Sequence, residues 1–176
     1  MKLLTYSEFM NEYKKYYDKI FSGNHVDEGC FRDPDWQQVL LEGHRIRDFD
    51  KIIFSALKNV IIAVEGQKDV IMTEVETPHA ETVTVPFSME ELDAAWFNYS
   101  FAYLDSVVFG RSGAWGIFLA YDDFSCIGGD DLFMSKFLGC VDGGKERLKN
   151  DFLEYIKGDW FSDLSMDRAL KRVGWE

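Results

Sequence analysis

Three histidines, His25, His44 and His79, are the natural candidates for acid–base work, because imidazole titrates near neutral pH. None lies beside a plausible nucleophile in the sequence. A histidine can meet carboxylates through the fold. One reading is therefore a small hydrolase or small-molecule-binding domain, with a deep pocket where His25, His44 or His79 sits among acidic neighbours. The chain has no Gly-x-Ser-x-Gly elbow, no P-loop and no dinucleotide fingerprint. The glycine clusters Gly128-Gly129 and Gly139 to Gly144 lack a phosphate-binding context and read as turns.

Metal chemistry is equally thin. His25 and Cys30 come nearest to a zinc pair, and their spacing is poor for that ion. Asp122, Asp123, Asp130 and Asp131 bracket a short apolar run and could gather calcium or magnesium. They do not follow EF-hand spacing, and aspartate is also favoured in turns and helix caps. In a chain this rich in carboxylates, some two will match a glycosidase pair by chance. The expectation is no catalytic residue, no metal and no cofactor.

Charge says more. The formal net charge is −12, which opposes nucleic acid and anionic membrane surfaces, since phosphate contacts need clustered Lys and Arg. It suits a basic protein partner, because opposite potentials steer encounter. From Glu65 to Asp93 there are eight acidic residues and one base, Lys68. Within that run Glu74, Glu76, Glu81, Glu90, Glu91 and Asp93 form the expected docking surface, able to enter a nuclease's phosphate-binding cleft by charge mimicry. Trp160 or Trp175, near the polar C-terminal end, could add an exposed anchor. A scaffold module is a further option and would show a large exposed apolar patch.

Three widely spaced cysteines, Cys30, Cys126 and Cys140, without a C-x-x-C pair, argue against a disulfide framework. Met1 to Glu8 lacks an apolar signal core, and no run approaches the ~20 apolar residues of a membrane span. A cytoplasmic protein is expected.

The elements that must position these groups fit one α+β domain over residues 1–176. The capping box Thr5 to Glu8 opens a helix over about 6–21. Asp33-Pro34-Asp35 predicts a turn into a short helix with Trp36, Val39 and Leu40 on its apolar face. A helix is expected from 48 to 62, although Ile61 to Val64 could be a strand. Val70 to Val75 and Glu81 to Val85 follow, the second alternating cleanly as a strand. Ser88 caps a helix to about Tyr99. Strands at 104–109, 114–121 and 124–127 make an antiparallel meander across 104–127, ended by Gly128-Gly129. Asp130 or Asp131 caps the next helix, and helices at about 145–157 and 165–173 finish the chain.

Gly113 to Leu138 resembles the small bacterial immunity proteins of polymorphic toxin systems, including contact-dependent inhibition. The matching elements are Ser112-Gly113, Trp115-Gly116-Ile117, Asp122-Asp123, Ile127-Gly128-Gly129, Phe133 and Phe137. The resemblance implies a cytosolic protein without catalytic activity that binds one cognate toxin domain and blocks its active site or its access to substrate. The matched residues would build the scaffold, leaving the interface to vary with the toxin.

Overall fold

The alternating and β-branched segments assemble, in the computed structural model, into one seven-stranded antiparallel sheet. Described residues are 1–66, 69–78, 80–99, 101, 104–121, 124–158 and 163–175, so His79, Asp122, Asp123 and Trp160 lie outside them. The strands are β1 (Lys2–Leu3), β2 (Gln37–Glu42), β3 (Asp69–Glu74), β4 (Thr82–Pro86), β5 (Ser106–Phe109), β6 (Trp115–Ala120) and β7 (Phe124–Gly129). Their order across the sheet is β1-β4-β3-β5-β6-β7-β2. The flanking helices among the described residues are α1 (residues 6–20), α2 (Lys51–Glu65), α3 (Met89–Asn98), α4 (Asp131–Gly139), α5 (Gly144–Gly158) and α6 (Asp163–Val173). The α+β class and the central meander of β5, β6 and β7 are as expected.

Helix starts follow the side chains that satisfy free N–H groups. Thr5 Oγ1 accepts the Glu8 N–H at 3.2 Å, and Glu8 returns a carboxylate oxygen to the Thr5 N–H at 2.8 Å. Lys2 and then the Thr5 groups hold the Glu8 carboxyl down to about 2. Asp50 caps α2, Ser88 caps α3, and Asp130 rather than Asp131 caps α4. Helix α1 widens into a π turn at Phe9–Tyr13 and buries Phe9, Tyr13, Tyr17 and Ile20.

Every residue of β6 is buried, so both faces of the sheet centre are covered. In register, Phe109 pairs with Gly116 and Gly116 with Gly128, placing two adjacent glycines in one row on one face. The stretch 20–32 doubles back over that row, closed by Ser22 N–H to Cys30 O at 2.9 Å and Arg32 N–H to Ile20 O at 2.9 Å. Phe21 lies on Gly116 and Phe31 on Gly128. A Cβ at either glycine would fall 2.6 Å or 2.5 Å from those rings. On the opposite face Phe133 of α4 presses on Gly129 and stacks against Trp115 at 5.7 Å. Phe87 meets Trp115 edge-on, and Phe54 of α2 stacks on Phe87.

Two expectations fail for the same reason. Gln37–Glu42 is a strand, not a helix. The spacing of Trp36, Val39 and Leu40 fits a helical face. Yet Val39, Leu40 and Leu41 are all buried, because this strand, pairing with β7, is covered on both sides. Gly128-Gly129 does not end β7. Both residues pair with β2 and β6, and they are glycine because aromatic rings occupy the space above and below them. Ile61 to Val64 lies within α2. Trp175 is 2% exposed, packed on Phe152, which removes it as an exposed anchor.

Gly116→Ala and Gly128→Ala should each destabilise the protein by about 1–3 kcal/mol, as overpacking does. Gly139→Ala, with open space around its Cβ position and a helical backbone, should be neutral or stabilising. Equilibrium urea unfolding checks all three.

Candidate functional site

The six carboxylates expected to form one docking surface do not lie together. Glu74 is 6% exposed and accepts the Thr77 hydroxyl, so it is withdrawn from any surface. Glu76 and Glu81 sit in the β3–β4 loop. That loop is closed by Thr73 and Thr82, whose hydroxyls both donate to Pro78 O at 2.7 and 2.6 Å. Glu90, Glu91 and Asp93 lie beyond the other end of β4, at the start of α3. The eight residues from Glu81 to Ser88 span roughly 23 Å if extended at about 3.3 Å per step. Glu90 and Glu91 are exposed at a helix N-terminus that favours negative charge. Asp93 pairs with Arg47 at 3.3 Å.

Glu65, at the head of the same acidic run, has a structural task. Its carboxylate accepts the Arg111 N–H at 2.8 Å, the Ser112 N–H at 3.1 Å, the Ser112 hydroxyl at 2.5 Å and the Trp115 indole N–H at 2.7 Å. The C-terminal end of α2 is thereby clasped to the β5–β6 connection. Gly110 is required beneath it, since a Cβ there would lie 2.0 Å from the Glu65 carboxylate.

Of the two described histidines, His25 lies among acidic neighbours, with Nε2 4.0 Å from Asp105 Oδ2. His25 Nδ1 lies 2.9 Å from Asp27 Oδ1, and its ring sits edge-on to Phe118 and Phe124. Asp27 also takes Arg168 at 2.6 Å, and its backbone carbonyl accepts Arg172 Nε–H at 2.8 Å. Burial alone would raise the Asp27 carboxyl, but the hydrogen bond and charge of His25, with Arg168, outweigh it and hold it below its ordinary value. This network ties the 3₁₀ turn Val26–Glu28 to α6. His44 packs on Trp96 at 5.3 Å, with Arg45 over the same ring. Cys30 and Cys126 are buried and Cys140 is exposed. Burial first, then the neighbouring Cys126, pushes the Cys30 thiol well up. Among the described residues no cluster of His, Cys, Asp or Glu could hold a metal ion.

A site absent from the sequence reading opens where β2 ends, α2 begins and α5 crosses. It is a groove of about 370 Å³, within the usual range of ligand pockets. Leu40, Leu41, Phe49, Ile53, Leu148 and Phe152 make an apolar floor. Glu42, Asp48, Asp50 and Asp151, with one cation, Arg147, form the rim. Among the described residues no histidine lines it. Its residues come from two distant stretches, 40–53 and 147–152, and the strand part of the first reads locally as a helix, so no local pattern marks it.

Comparison with known proteins finds no matching family model, no matching curated protein and no matching solved structure. Among the described residues no helix is long and apolar enough to cross a membrane.

Glu65→Ala should cost about 1–3 kcal/mol, the loss expected when hydrogen bonds to a charged group are removed, read from thermal or urea unfolding. In native protein only Cys140 should react promptly with a thiol reagent, and all three cysteines should react in denaturant. Mass spectrometry of the labelled chain distinguishes the two states.

Proposed function

We propose that this chain is a non-catalytic immunity protein that binds and neutralises a cognate, basic toxin domain in the cytoplasm. The observation that carries the reading is the groove: an apolar floor rimmed by four carboxylates on a molecule of net charge −12. Such a surface suits a positively charged protein face, which it attracts at long range and desolvates at contact. Exposed Glu76, Glu90 and Glu91 and half-buried Glu81 extend the negative field on other parts of the surface. Buried Glu74 takes no part in contact.

The residues that resemble immunity proteins support the reading by their placement. Trp115, Gly116, Gly128, Gly129, Phe133 and Phe137 are packed in the core, and Ser112 is bound to Glu65. Residues spent on the scaffold leave the surface free to differ with each toxin. Asp122 and Asp123 fall outside the described residues.

The test is direct. Co-expression with a toxin domain encoded by a neighbouring gene should restore growth, and the purified pair should run as a stoichiometric complex. Association should slow by about tenfold or more between low salt and half-molar salt, as screened steering requires. A toxin whose activity is unchanged by excess protein, or substrate turnover by the protein alone, overturns the proposal.

A further inference from the structure

We infer that the groove between β2, α2 and α5 receives an arginine or lysine side chain projected by the protein partner. The inference rests on the binding function proposed above and names the chemistry of the contact. Floor and rim demand different things of one occupant. Leu41, Phe49, Ile53 and Phe152 want an aliphatic stem, and the carboxylates want a cationic head. Lysine and arginine carry both on one side chain.

The state of each carboxylate sharpens this. Asp48 gives both oxygens to Arg45, at 2.9 and 2.8 Å. Asp151 gives one oxygen to Arg147 at 3.3 Å. Asp50 uses Oδ1 to accept the N–H groups of Ile52 and Ile53, leaving Oδ2. Glu42 has no hydrogen bond or ion pair among the described residues. Four carboxylates against two guanidinium groups leave a net charge of −2 at the mouth. A cation entering there finds Glu42 and the open oxygens of Asp50 and Asp151, and a guanidinium can meet a carboxylate with two parallel bonds.

Other occupants fit less well. An anion would need the N–H groups at the start of α2, which Asp50 already takes. A metal ion finds no qualifying cluster among the described residues. A macromolecule fits better than a free amine because Glu42, Asp50 and Asp151 are exposed around the opening. Ile52, 50% exposed, also offers apolar surface beside it.

The test uses the full chain labelled with ¹⁵N and three probes: a capped Ala-Leu-Arg-Leu-Ala peptide, its citrulline counterpart and 1,5-diaminopentane. The arginine peptide should shift the amide signals of Leu41, Ile53 and Leu148 saturably, and the citrulline peptide should not. Glu42→Gln combined with Asp50→Asn, which keeps a capping side chain, should weaken the peptide by about tenfold, the loss of roughly 1.4 kcal/mol. Glu12→Gln on α1 should leave it unchanged. Equal shifts with citrulline, no shift at the groove, or binding by diaminopentane without the peptide would each overturn the inference. A toxin complex of undiminished affinity with Glu42→Lys protein overturns the groove contact and leaves the inhibitor function standing. Peptide binding without any toxin complex does the reverse.

Discussion

Close approach of aromatic rings to a glycine row in the middle of the sheet is the constraint on which the rest of the molecule depends. Gly116 and Gly128 stand side by side in register, and Phe21 and Phe31 fill the space that side chains would take. Gly129 admits Phe133 from the opposite face. Rings gain much apolar burial per residue, and stacked or edge-on contacts add to it. The row therefore draws the N-terminal segment onto one face and α4 onto the other. With both faces covered, the central strands lose the polar outer face that an antiparallel sheet usually shows to water.

The clasp at Glu65 is a second consequence of that burial. Trp115 is fully buried, and its indole N–H needs an acceptor. Glu65 supplies one and in the same gesture fixes the Arg111 and Ser112 amides of the β5–β6 connection. The Ser-Gly-x-Trp-Gly segment thus reads as a device for joining a helix end to a hairpin. Its chemistry is structural: Glu65 is the charged acceptor, Trp115 the buried donor, and Gly110, just before the segment, leaves room for the carboxylate.

Negative charge divides into two kinds of work. Glu8, Asp27, Asp50, Glu65 and Asp130 are engaged in caps, clasps and ion pairs, each offsetting unsatisfied N–H groups or a nearby cation. Glu42 and Glu76 face solvent, where mutual repulsion opposes compactness, while exposed Glu90 and Glu91 sit in the first turn of α3, where the helix N-terminus favours negative charge. At the groove exposed charge adjoins an apolar floor. That combination, rather than the longer acidic run in the sequence, is what the proposed contact with a basic partner rests on.

Local signals in the sequence determined a good deal. Thr5, Ser88 and the Asp130-Asp131 pair mark helix starts because a cap acts within three residues, and the meander is legible because side chains alternate along each strand. Net charge and the lack of catalytic motifs are also properties of the chain alone. Tertiary structure decided the rest. Gln37–Glu42 mimics a helical face in isolation and becomes a strand because β7 offers it a ladder and both its faces are covered. Gly128-Gly129 looks like a breaker until Phe31 and Phe133 are seen to need the space. The acidic run from Glu65 to Asp93 is continuous along the chain, but a helix end, a loop and a second helix carry its parts to separate places. The groove exists only where residues 40–53 meet 147–152, and contacts between segments so far apart leave no periodicity for a linear reading to find.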